Sequence, residues 1–450
     1  MSEVIKIKKG LDINLKGKAE KVYIKADPSK TYAVKPTDFT GVTPKLAVEA
    51  GATVKAGTPL FYNKYKPEIK FTSPVSGKVL EVNRGERRMI LEIIVESDGK
   101  FESEDFKVSS PAEMNRESIV KTLLDSGLWP AIKQRPYSVI ANPADTPKAI
   151  FISAFDSAPL GVDYDFILQD SAKEFQAGID VLSKLTEGKI HVGVNGKYPV
   201  SPVIQNTKNI QINLFKGPHP AGNVGVQIHH IDPVNKGEVV WVVEPQKVVT
   251  IGRLFLTGKY NASKIVALGG SEVKKPRYYK VYEGTNISCL TDNNVNEGDL
   301  RFISGNALNG TRISQDGFLG FYDSLLTVIP EGNKYEFMGW IAPGFKKYSF
   351  SRTFFSWLMP NREYIIDSNL HGGRRALMIT GKFEQVFPMD IYPMQLIKAI
   401  IIEDIDLMEN LGIYEVAEED FALCEFIDTS KTDIQSIVRK GLDIMIKEMS

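Results

Sequence analysis

Strand-like apolar runs alternate with amphipathic helices between residues 149 and 256, and this alternation constrains the fold more than any other feature of the chain. Residues 149–154, 190–194 and 210–215 are short apolar runs typical of buried strands. One helix is predicted to begin at Ser171, and another to run from Pro245 to about Leu256. Strands and helices in this order predict a mostly parallel, Rossmann-like sheet covered by helices.

The flanking regions have different patterns. Residues 4 to about 100 alternate short apolar runs with Gly, Pro and Lys turns, which predicts β-structure, and the same pattern returns from residue 264 to about 355. The end of the chain has helical spacing, and one helix is predicted over residues 394–411, stopped by Gly412. The chain is therefore predicted to be an α+β multidomain protein.

Two tetrapeptides have the sequence of a capping box, which marks a helix start. In this motif a Ser or Thr side chain accepts a backbone N–H three residues on, and a Glu or Gln side chain reaches back. Ser110-Pro111-Ala112-Glu113 predicts a helix that ends near Gly127. Thr432-Asp433-Ile434-Gln435 predicts the start of the last helix.

Charge and cysteine content exclude several classes of protein. The 55 Lys and Arg residues balance 55 Asp and Glu residues, which argues against a dedicated nucleic-acid binder. Cys289 and Cys424 are too few for a disulfide framework, a multi-cysteine zinc site or a four-thiolate iron–sulfur cluster. No segment is long and apolar enough to span a bilayer, since the longest, residues 396–402, is interrupted by Lys398.

The charges are unevenly distributed along the chain. Residues 1–100 carry a net charge of +7, and residues 401–450 carry a net charge of −9. The two ends could attract each other or different partners; the alternative is a solvated surface without such a role.

Two segments near the N-terminus have the pattern of the barrel-sandwich domains that carry lipoyl or biotinyl groups. They are residues 54–61 and 72–79, in which tight turns separate short strands. Lys66 lies seven residues before Ser73, where a carrier lysine would sit, but Pro67 follows it. We therefore favour a structural domain without a modified lysine, with a carrier domain as the alternative.

Two loops contain the candidate ligand-binding residues. Residues 217–225 combine three Gly and two Pro with His219, which could donate a hydrogen bond or a proton to a ligand such as a quinone. Residues 127–137 contain Trp129, Arg135 and Tyr137, a lining that suits a flat, amphipathic quinone headgroup. A metal site is the weaker interpretation, because no cysteine and no His-x₃-His spacing supports it. Packed structural loops are the alternative for both segments.

The chain has no Gly-rich cradle for a dinucleotide. No G-x-G-x-x-G occurs, and the closest run, residues 188–196, continues into Lys197-Tyr198-Pro199 without a helix start. Tight NADH binding by this chain is therefore not expected.

Eight segments, spread from residue 5 to the C-terminal region, are characteristic in combination. They are residues 5–12, 70–79, 81–85, 126–129, 217–225, 301–305, 387–391 and 418–424. Together they resemble the NqrA family, the A subunits of the sodium-translocating NADH:quinone oxidoreductase. The order of segments is also similar to the C subunit of the Rnf complex and to the flavin subunit of respiratory complex I.

The resemblance implies a fold and a function. It implies a barrel-sandwich hybrid domain over residues 1–105, a Rossmann-like α/β domain over 106–258, an SLBB-type β-grasp domain over 259–345 and a helical C-terminal domain over 346–450. Members of this family lie peripherally on the cytoplasmic face of the bacterial inner membrane, on the membrane-embedded B subunit of a six-subunit complex. That complex couples electron transfer from NADH to quinone (ubiquinone or menaquinone) with Na⁺ export. The family is associated with quinone and the semiquinone-to-quinol step, and a single member is not expected to be active alone.

The resemblance also bears on cofactors. The relatives hold flavin with a Gly-rich loop near residues 129–137 and carry cysteine ligands for iron–sulfur clusters. Here that loop contains no Gly, and only Cys424 stands in the corresponding region. This implies that the chain kept the fold but has no tightly bound cofactor and no metal. Quinone would be its substrate, and other subunits would bind NADH and flavins.

These interpretations lead to one test of the candidate residues. Arg135→Ala and His219→Ala are each expected to weaken quinone binding about ten- to a hundredfold with the fold intact, because a hydrogen bond to a charged group contributes about 1.5–3 kcal/mol. The rival hypothesis is a non-catalytic scaffold that docks the membrane subunit and has no quinone site. In that case the substitutions would lower the melting temperature and leave quinone affinity unchanged.

Overall fold

The computed structural model describes residues 4–109, 111, 113–334, 336–339, 341 and 344–449. The strands, in chain order, are β1 Val4–Lys6, β2 Glu20–Lys25, β3 Thr31–Val34, β4 Pro44–Leu46, β5 Thr53–Val54, β6 Pro59–Asn63, β7 Lys66–Thr72, β8 Gly77–Arg84, β9 Ile90–Ser97, β10 Ile132–Arg135, β11 Val139–Ile140, β12 Ala149–Ser153, β13 Lys189–Asn195, β14 Gln211–Lys216, β15 Val240–Val243, β16 Ser263–Gly269, β17 Arg277–Tyr282, β18 Leu300–Ser304, β19 Thr311–Ile313 and β20 Leu325–Pro330. The α-helices are α1 Arg116–Asp125, α2 Tyr164–Leu168, α3 Ala172–Leu182, α4 Pro202–Gln205, α5 Val224–Ile231, α6 Pro245–Thr257, α7 Ser288–Thr291, α8 Phe383–Val386, α9 Pro393–Ile401, α10 Ile405–Asn410, α11 Ala422–Ile427 and α12 Ile434–Met449.

The α/β region is built on a seven-stranded sheet with the order β1-β14-β13-β12-β15-β10-β11. The pairs from β1 to β15 are parallel, and β10 and β11 add an antiparallel edge. Helices α3 and α6 pack against each other, and their backbones approach closely at Gly178 and Gly252. The predicted Rossmann-like, mostly parallel sheet is confirmed.

The barrel-sandwich region consists of two small sheets, β3-β9-β8-β5 and β4-β6-β7. Apolar side chains that alternate along short strands fill the space between them, because such strands bury one face each. Phe61 and Phe71 stack at 4.4 Å between ring centroids, and Phe39 packs 4.4 Å from Phe71. The turns predicted within residues 54–61 and 72–79 therefore join strands of one closed core.

The β-grasp region has a mixed six-stranded sheet with the order β19-β18-β20-β16-β17-β2. Val266, Leu268, Leu326 and Val328, from its central strands, are fully buried. The central strands are buried on both faces, since Ala267 and Leu325 lie in a second apolar cluster on the opposite face, and this explains the apolar runs that predicted short strands here.

The first two strands pair outside the barrel-sandwich sheets. Strand β1 is parallel to β14 at the edge of the α/β sheet, with Val4 opposite Leu214. Strand β2 is parallel to β17 at the edge of the β-grasp sheet. The chain therefore contributes to two later regions before it enters the barrel-sandwich core, and the domain boundary at residue 105 stays a prediction.

The C-terminal region is helical only from α8 onward. Residues 331–382, which we call the connecting segment, contain the 3-10 helix Phe355–Leu358 and otherwise no helix or strand among their described residues. Helices α8 to α12 share a core with Ile7, Phe215 and Val226 of the α/β region. Within the predicted helical domain the α-helices thus lie between residues 383 and 449, and its boundary at residue 346 stays a prediction.

Three predicted helix boundaries differ from the structure. The single helix predicted over residues 394–411 is two helices, because Glu403 has a φ of 56° and Asp404 caps α10 by accepting the Leu407 N–H at 2.9 Å. Helix α1 begins at Arg116, where Asn115 caps it; Ser110 and Ala112 of the predicted capping box lie outside the described residues.

The capping box predicted at Thr432 does not form either. The Gln435 N–H donates to the Glu425 carboxylate at 2.8 Å, and the Thr432 hydroxyl has no partner among the described residues. A carboxylate brought in by another helix has replaced the local cap. Among the described residues, no helix combines the length and the apolar character that a membrane span requires.

Candidate functional site

A cleft of about 730 Å³ opens at the carboxyl ends of β12 and β15. The chain runs outward from β12 to β13 and β14 on one side, whereas β15 lies on the other side of β12. This is the point where the strand order reverses, which is where open parallel sheets bind ligands. The loop before β20 and residues 417–419 of the C-terminal region form the other walls of the cleft.

Glu244 lies in the cleft directly after β15, at the N-terminus of α6. Burial raises the pKa of its carboxyl to about 7, although Lys133, Lys247 and Lys264 oppose this rise. Its carboxyl oxygens accept no hydrogen bond from the described residues, so they are available to a ligand. A carboxyl group with this pKa exchanges protons readily at neutral pH.

Tyr164 and Asp156 add two further acidic groups to the cleft. Burial raises the pKa of Tyr164 well above its ordinary value, and the nearby Glu244 adds to this effect, so the phenol stays protonated. Asp156 accepts the backbone N–H groups of Ala158 and Val162 at 2.9 and 3.0 Å, while burial raises its pKa. The Tyr164 hydroxyl makes no hydrogen bond within the described part of the chain and can donate to a ligand.

Phe321 and Tyr322 provide an aromatic wall. Their rings meet edge to face at 4.9 Å, and the Tyr322 hydroxyl donates to the Pro130 carbonyl at 2.7 Å. The ammonium of Lys133 lies 3.7 Å from the Tyr322 ring centroid, and that of Lys247 lies 3.2 Å from the Phe321 centroid. These contacts fix the two rings and hold positive charge beside the cleft.

Buried charges behind the wall stabilise this arrangement. Lys247 pairs with Glu283 at 2.6 Å, and both side chains are almost fully buried. Lys264 donates to the carbonyls of Gly320, Phe321 and Asp323, and burial lowers the pKa of its ammonium to about 8. The loop that carries Phe321 is therefore tied to the β-grasp sheet.

Arg135 lines the cleft, but its guanidinium is held in two ion pairs. It contacts Glu419 at 2.7 Å and Asp420 at 3.2 Å, and only 3% of it is exposed. Asn223 donates to the Glu419 carbonyl at 3.2 Å, and a Cβ at Gly225 would lie 2.5 Å from the Asp420 carboxylate. The Gly-rich loop and Arg135 thus hold residues 417–421 in place by close packing and ion pairs.

His219 lies in the same loop and is buried. Its Nδ1 is 3.0 Å from the Ser157 hydroxyl, and its backbone N–H donates to Asp12 at 2.9 Å. Burial lowers the pKa of its imidazole to about 4, so the ring is neutral at pH 7. It is therefore not a charged donor in this structure.

Trp129 and Tyr137 lie apart from the cleft. Trp129 is fully buried, donates its indole N–H to the Ala141 carbonyl at 2.7 Å and packs edge-on against Trp241. Tyr137 has a φ of 80°, and its ring meets Tyr414 of the C-terminal region. Of the four candidates, the structure brings only Arg135 to the cleft, and whether any of them contacts quinone stays a prediction.

The sequence analysis missed Glu244, Tyr164 and Asp156. Glu244 and Asp156 could have been found by position, because each follows a strand of the parallel sheet, where ligand-binding residues are common. Position marks them only as candidates, because which strand ends line the cleft depends on the strand order, and the sequence pattern does not reveal that order. Tyr164 had no signal in the sequence.

The remaining candidates for chemistry have ordinary partners. Lys66 lies within β7 and donates to Asn142 at 3.2 Å, so it does not occupy the β6–β7 turn, which is formed by Lys64 and Tyr65. Cys424 is fully buried. No group of three or more His, Cys, Asp or Glu residues within the described ranges could hold a metal ion. In place of a Gly-rich flavin loop, residues 129–135 form a buried turn and strand β10, which does not fit a flavin phosphate.

A larger cavity, about 1270 Å³, lies between the β-grasp sheet, the connecting segment and the C-terminal helices. It does not touch the carboxyl ends of the parallel strands, and we therefore regard the smaller cleft as the candidate site.

Barrel-sandwich, Rossmann-like and β-grasp regions in this order, with a polar cleft at the reversal point, define a multidomain α+β protein. Three family profiles match consecutive parts of the chain. They are described as the NqrA N-terminal barrel-sandwich hybrid domain (residues 5–98), the NqrA second alpha/beta domain (114–260) and the NQRA C-terminal domain (265–315).

Curated relatives match the whole length of the chain. The A subunit of the Na(+)-translocating NADH-quinone reductase of Neisseria meningitidis serogroup B is 38% identical over 449 residues, which covers 99% of this chain and 100% of the relative. The same subunit of Hahella chejuensis is 38% identical over 453 residues, with 99% and 100% covered. This chain belongs to the NqrA family, the A subunits of the Na(+)-translocating NADH-quinone reductase.

A solved structure of an NAD⁺-reducing [NiFe]-hydrogenase in the air-oxidized state has a TM-score of 0.39 and 11% identity, over 76% of this chain and 62% of that one. A likeness this weak supports no inference.

Proposed function

We propose that this chain is a peripheral, cytoplasmic-side subunit of a sodium-exporting NADH–quinone reductase, docked on the membrane-embedded B subunit, and that it binds quinone in the cleft for the semiquinone-to-quinol step. NADH and flavins are bound by other subunits. The observation that carries the proposal is Glu244, a carboxyl group with a pKa of about 7 and no hydrogen-bond partner among the described residues, facing the cleft.

The chemistry of quinone reduction suits these groups. A semiquinone anion becomes a quinol by taking one electron and two protons. The electron comes from the redox chain of the other subunits. Glu244 gives the first proton and, after recharging from water through the open cleft, the second. The protonated Tyr164 donates a hydrogen bond to the other quinone oxygen, and Phe321 and Tyr322 flank the ring.

The test is quinone reduction by the assembled complex containing Glu244→Gln. Loss of a positioned proton donor is expected to lower kcat by about a hundredfold. In the unmodified complex the rate should fall as pH rises above about 7, because Glu244 loses its proton there, and the variant should lack this limb. Reduction of an artificial electron acceptor by NADH should be unchanged.

Two further variants sharpen this test. Tyr164→Phe should raise KM for quinone, because it removes a hydrogen bond without removing the ring. Glu425→Gln is the matched control, since Glu425 is a carboxyl group whose pKa is raised by burial but which lies outside the cleft. Normal quinone kinetics in both cleft variants would contradict the proposal.

A scaffold without a quinone site is the second candidate function. The ion pairs of Arg135 favour it, because they use that candidate donor to hold the C-terminal region. Under this alternative the cleft variants reduce quinone normally, and only variants that loosen the docking lower the activity, by reducing assembly.

A further inference from the structure

The connecting segment exposes an unusual share of the apolar surface. It has 52 of the 450 residues. Of the 21 exposed large apolar side chains among the described residues, ten belong to it: Phe337, Met338, Ile341, Phe345, Trp357, Leu358, Ile365, Leu370, Met378 and Ile379. Apolar side chains concentrated in this way mark a surface that is covered in the working protein.

Six residues lie on the 3-10 helix Phe355–Leu358 or contact each other beside it, and we call them the arginine–aromatic patch. It consists of Phe345, Arg352, Phe355, Trp357, Leu358 and Arg362.

Contacts within the patch hold it together. The Phe345 and Phe355 rings lie 4.9 Å apart, and Arg362 donates to the Phe345 carbonyl at 3.0 Å. The Arg352 guanidinium lies 5.1 Å from the centroid of Trp357. Aromatic rings and guanidinium groups are therefore presented side by side.

The patch and its surroundings are positively charged. The connecting segment has eight Lys and Arg residues against four Asp and Glu residues, in a chain whose total charge is zero. Neither Arg352 nor Arg362 has an ion-pair partner among the described residues, although Glu363 is adjacent in sequence. No carboxylate in the described part of the chain neutralises either guanidinium, so both can attract anions, although Arg362 also donates to the Phe345 carbonyl and lies 5.5 Å from the Tyr364 ring centroid.

We propose that the arginine–aromatic patch inserts into the headgroup region of a bilayer that contains anionic lipids. Trp and Phe settle at the boundary between headgroups and acyl chains, and Arg beside them pairs with lipid phosphates. Phe345, Trp357 and Leu358 are 62%, 48% and 53% exposed, so their side chains are available to enter the lipid. The inference does not require the quinone site.

The form of the patch favours lipid over a partner peptide. Its one regular element is the short 3-10 helix Phe355–Leu358, so the described residues here offer no strand edge for pairing and no long helix face for a groove. Protruding apolar side chains flanked by cations need only a fluid, negatively charged surface.

The experiment measures binding of the purified full-length chain to extruded vesicles by cosedimentation. Binding is expected to vesicles of phosphatidylcholine and phosphatidylglycerol at 3:1, but not to phosphatidylcholine alone, and it should weaken as salt is raised. Arg352→Glu/Arg362→Glu should lower the partition coefficient at least about tenfold. Trp357→Ser/Leu358→Ser should lower it severalfold.

A matched control keeps the test specific. Lys197→Glu/Tyr198→Ser removes another exposed cation and aromatic ring, whose Nζ-to-centroid distance is 5.7 Å, and should leave binding unchanged. Melting temperatures confirm that each variant is folded. The proposal is overturned if the unmodified chain does not bind anionic vesicles, or if the patch variants bind them as tightly as the unmodified chain. It is also overturned if those variants leave vesicle binding intact but detach the protein from the complex, since the patch would then be a protein interface.

Discussion

Arg135 and Asp420 are separated by 285 residues in the chain and meet in the interior. Asp420 is buried, and burial raises the pKa of its carboxyl to about 6 even though Arg135 opposes this effect. A buried pair of this kind adds modest net stability, but removing one partner leaves the other charge without compensation.

Arg135→Ala is therefore expected to destabilise the protein by about 3–5 kcal/mol. This differs from the expectation drawn from sequence, in which the fold stayed intact and quinone affinity fell. Thermal melting and quinone titration of the same variant distinguish the two.

Lys70→Ala is the control, because its ion pair with Asp125 is more exposed and should contribute less than about 1 kcal/mol. An unchanged melting temperature in Arg135→Ala, with weakened quinone binding, would restore Arg135 as a ligand contact.

The candidate residues show what a single sequence can reveal at this scale. The sequence marks the Gly- and Pro-rich loop around His219 and the Arg135 segment as candidate ligand-binding loops, and that assignment stays a prediction. Their neighbours were not recognisable, because Glu419, Asp420 and Ser157 become partners only through tertiary folding. Glu244 resembles any polar residue before a helix until the strand order makes it part of a cleft.

Among elements, the contact between α3 and α6 depends on two glycines. A Cβ at Gly252 would overlap the Glu174 carbonyl and approach the Gly178 N–H, and a Cβ at Gly178 would overlap the Val248 carbonyl. Since these neighbours are backbone atoms, they cannot rotate away.

Gly252→Ala is expected to destabilise the protein by about 1–3 kcal/mol or more, because the helices must separate. Helix propensity alone predicts the opposite, a gain of up to about 1 kcal/mol. Thermal unfolding gives the sign directly. Gly373→Ala, where a Cβ meets no atom within 4 Å, should be nearly neutral.

Elements were predicted well where their pattern was local, and poorly where it was not. The parallel strands and α6 follow from apolar periodicity and from Pro at a helix start. The break between α9 and α10 was missed, because apolar spacing continues through it while the positive φ of Glu403 and the cap by Asp404 interrupt the helix. The pairing of β1 and β2 with distant sheets likewise left no local signal.

At the scale of the whole molecule, the two ends of the chain differ in net charge, which is +7 for residues 1–100 and −9 for residues 401–450. None of the ion pairs among the described residues joins residues 1–100 to residues 401–450. The acidic end instead contacts the α/β region: Glu419 pairs with Arg135, Glu409 pairs with Lys236 at 2.8 Å, and the Glu415 carboxylate lies 2.7 Å from His229 Nδ1. The N-terminus meets the C-terminal helices through apolar contacts of Ile7 and Ile13.

The connecting segment is held to the β-grasp sheet by Glu331. Its carboxylate contacts Arg301 at 2.6 Å and Arg312 at 3.0 Å, and it accepts a hydrogen bond from Ser368 at 2.6 Å. These partners, Arg301 first, lower the pKa of Glu331 to about 2. Its contribution to stability is thus present above the ordinary pKa of 4.5 and is lost as pH falls toward 2.

Acid is therefore expected to release the connecting segment. Between pH 5 and 2 the protein should lose about 1–3 kcal/mol of stability from this group. Hydrogen exchange at residues 365–370 should rise over the same range.

In the Glu331→Gln variant, the backbone amides of residues 365–370 should exchange rapidly already at neutral pH. Glu403→Gln, which removes an exposed pair with Lys440, should not. If residues 365–370 exchange equally slowly in Glu331→Gln and in the unmodified protein at neutral pH, the Glu331 contacts do not hold the connecting segment.

The early strands also have a consequence for the order in which the protein is made. Strand β1 leaves the ribosome well before its partner β14, which is about 200 residues behind it, or roughly 10–40 s of synthesis. The interval between the synthesis of β2 and that of its partner β17 is longer still. Two unpaired strands are thus exposed while the barrel-sandwich core between them and their partners is already able to fold. A nascent chain with this arrangement invites chaperone binding at its N-terminus, and a bulky N-terminal fusion would interfere with the last steps of folding rather than the first.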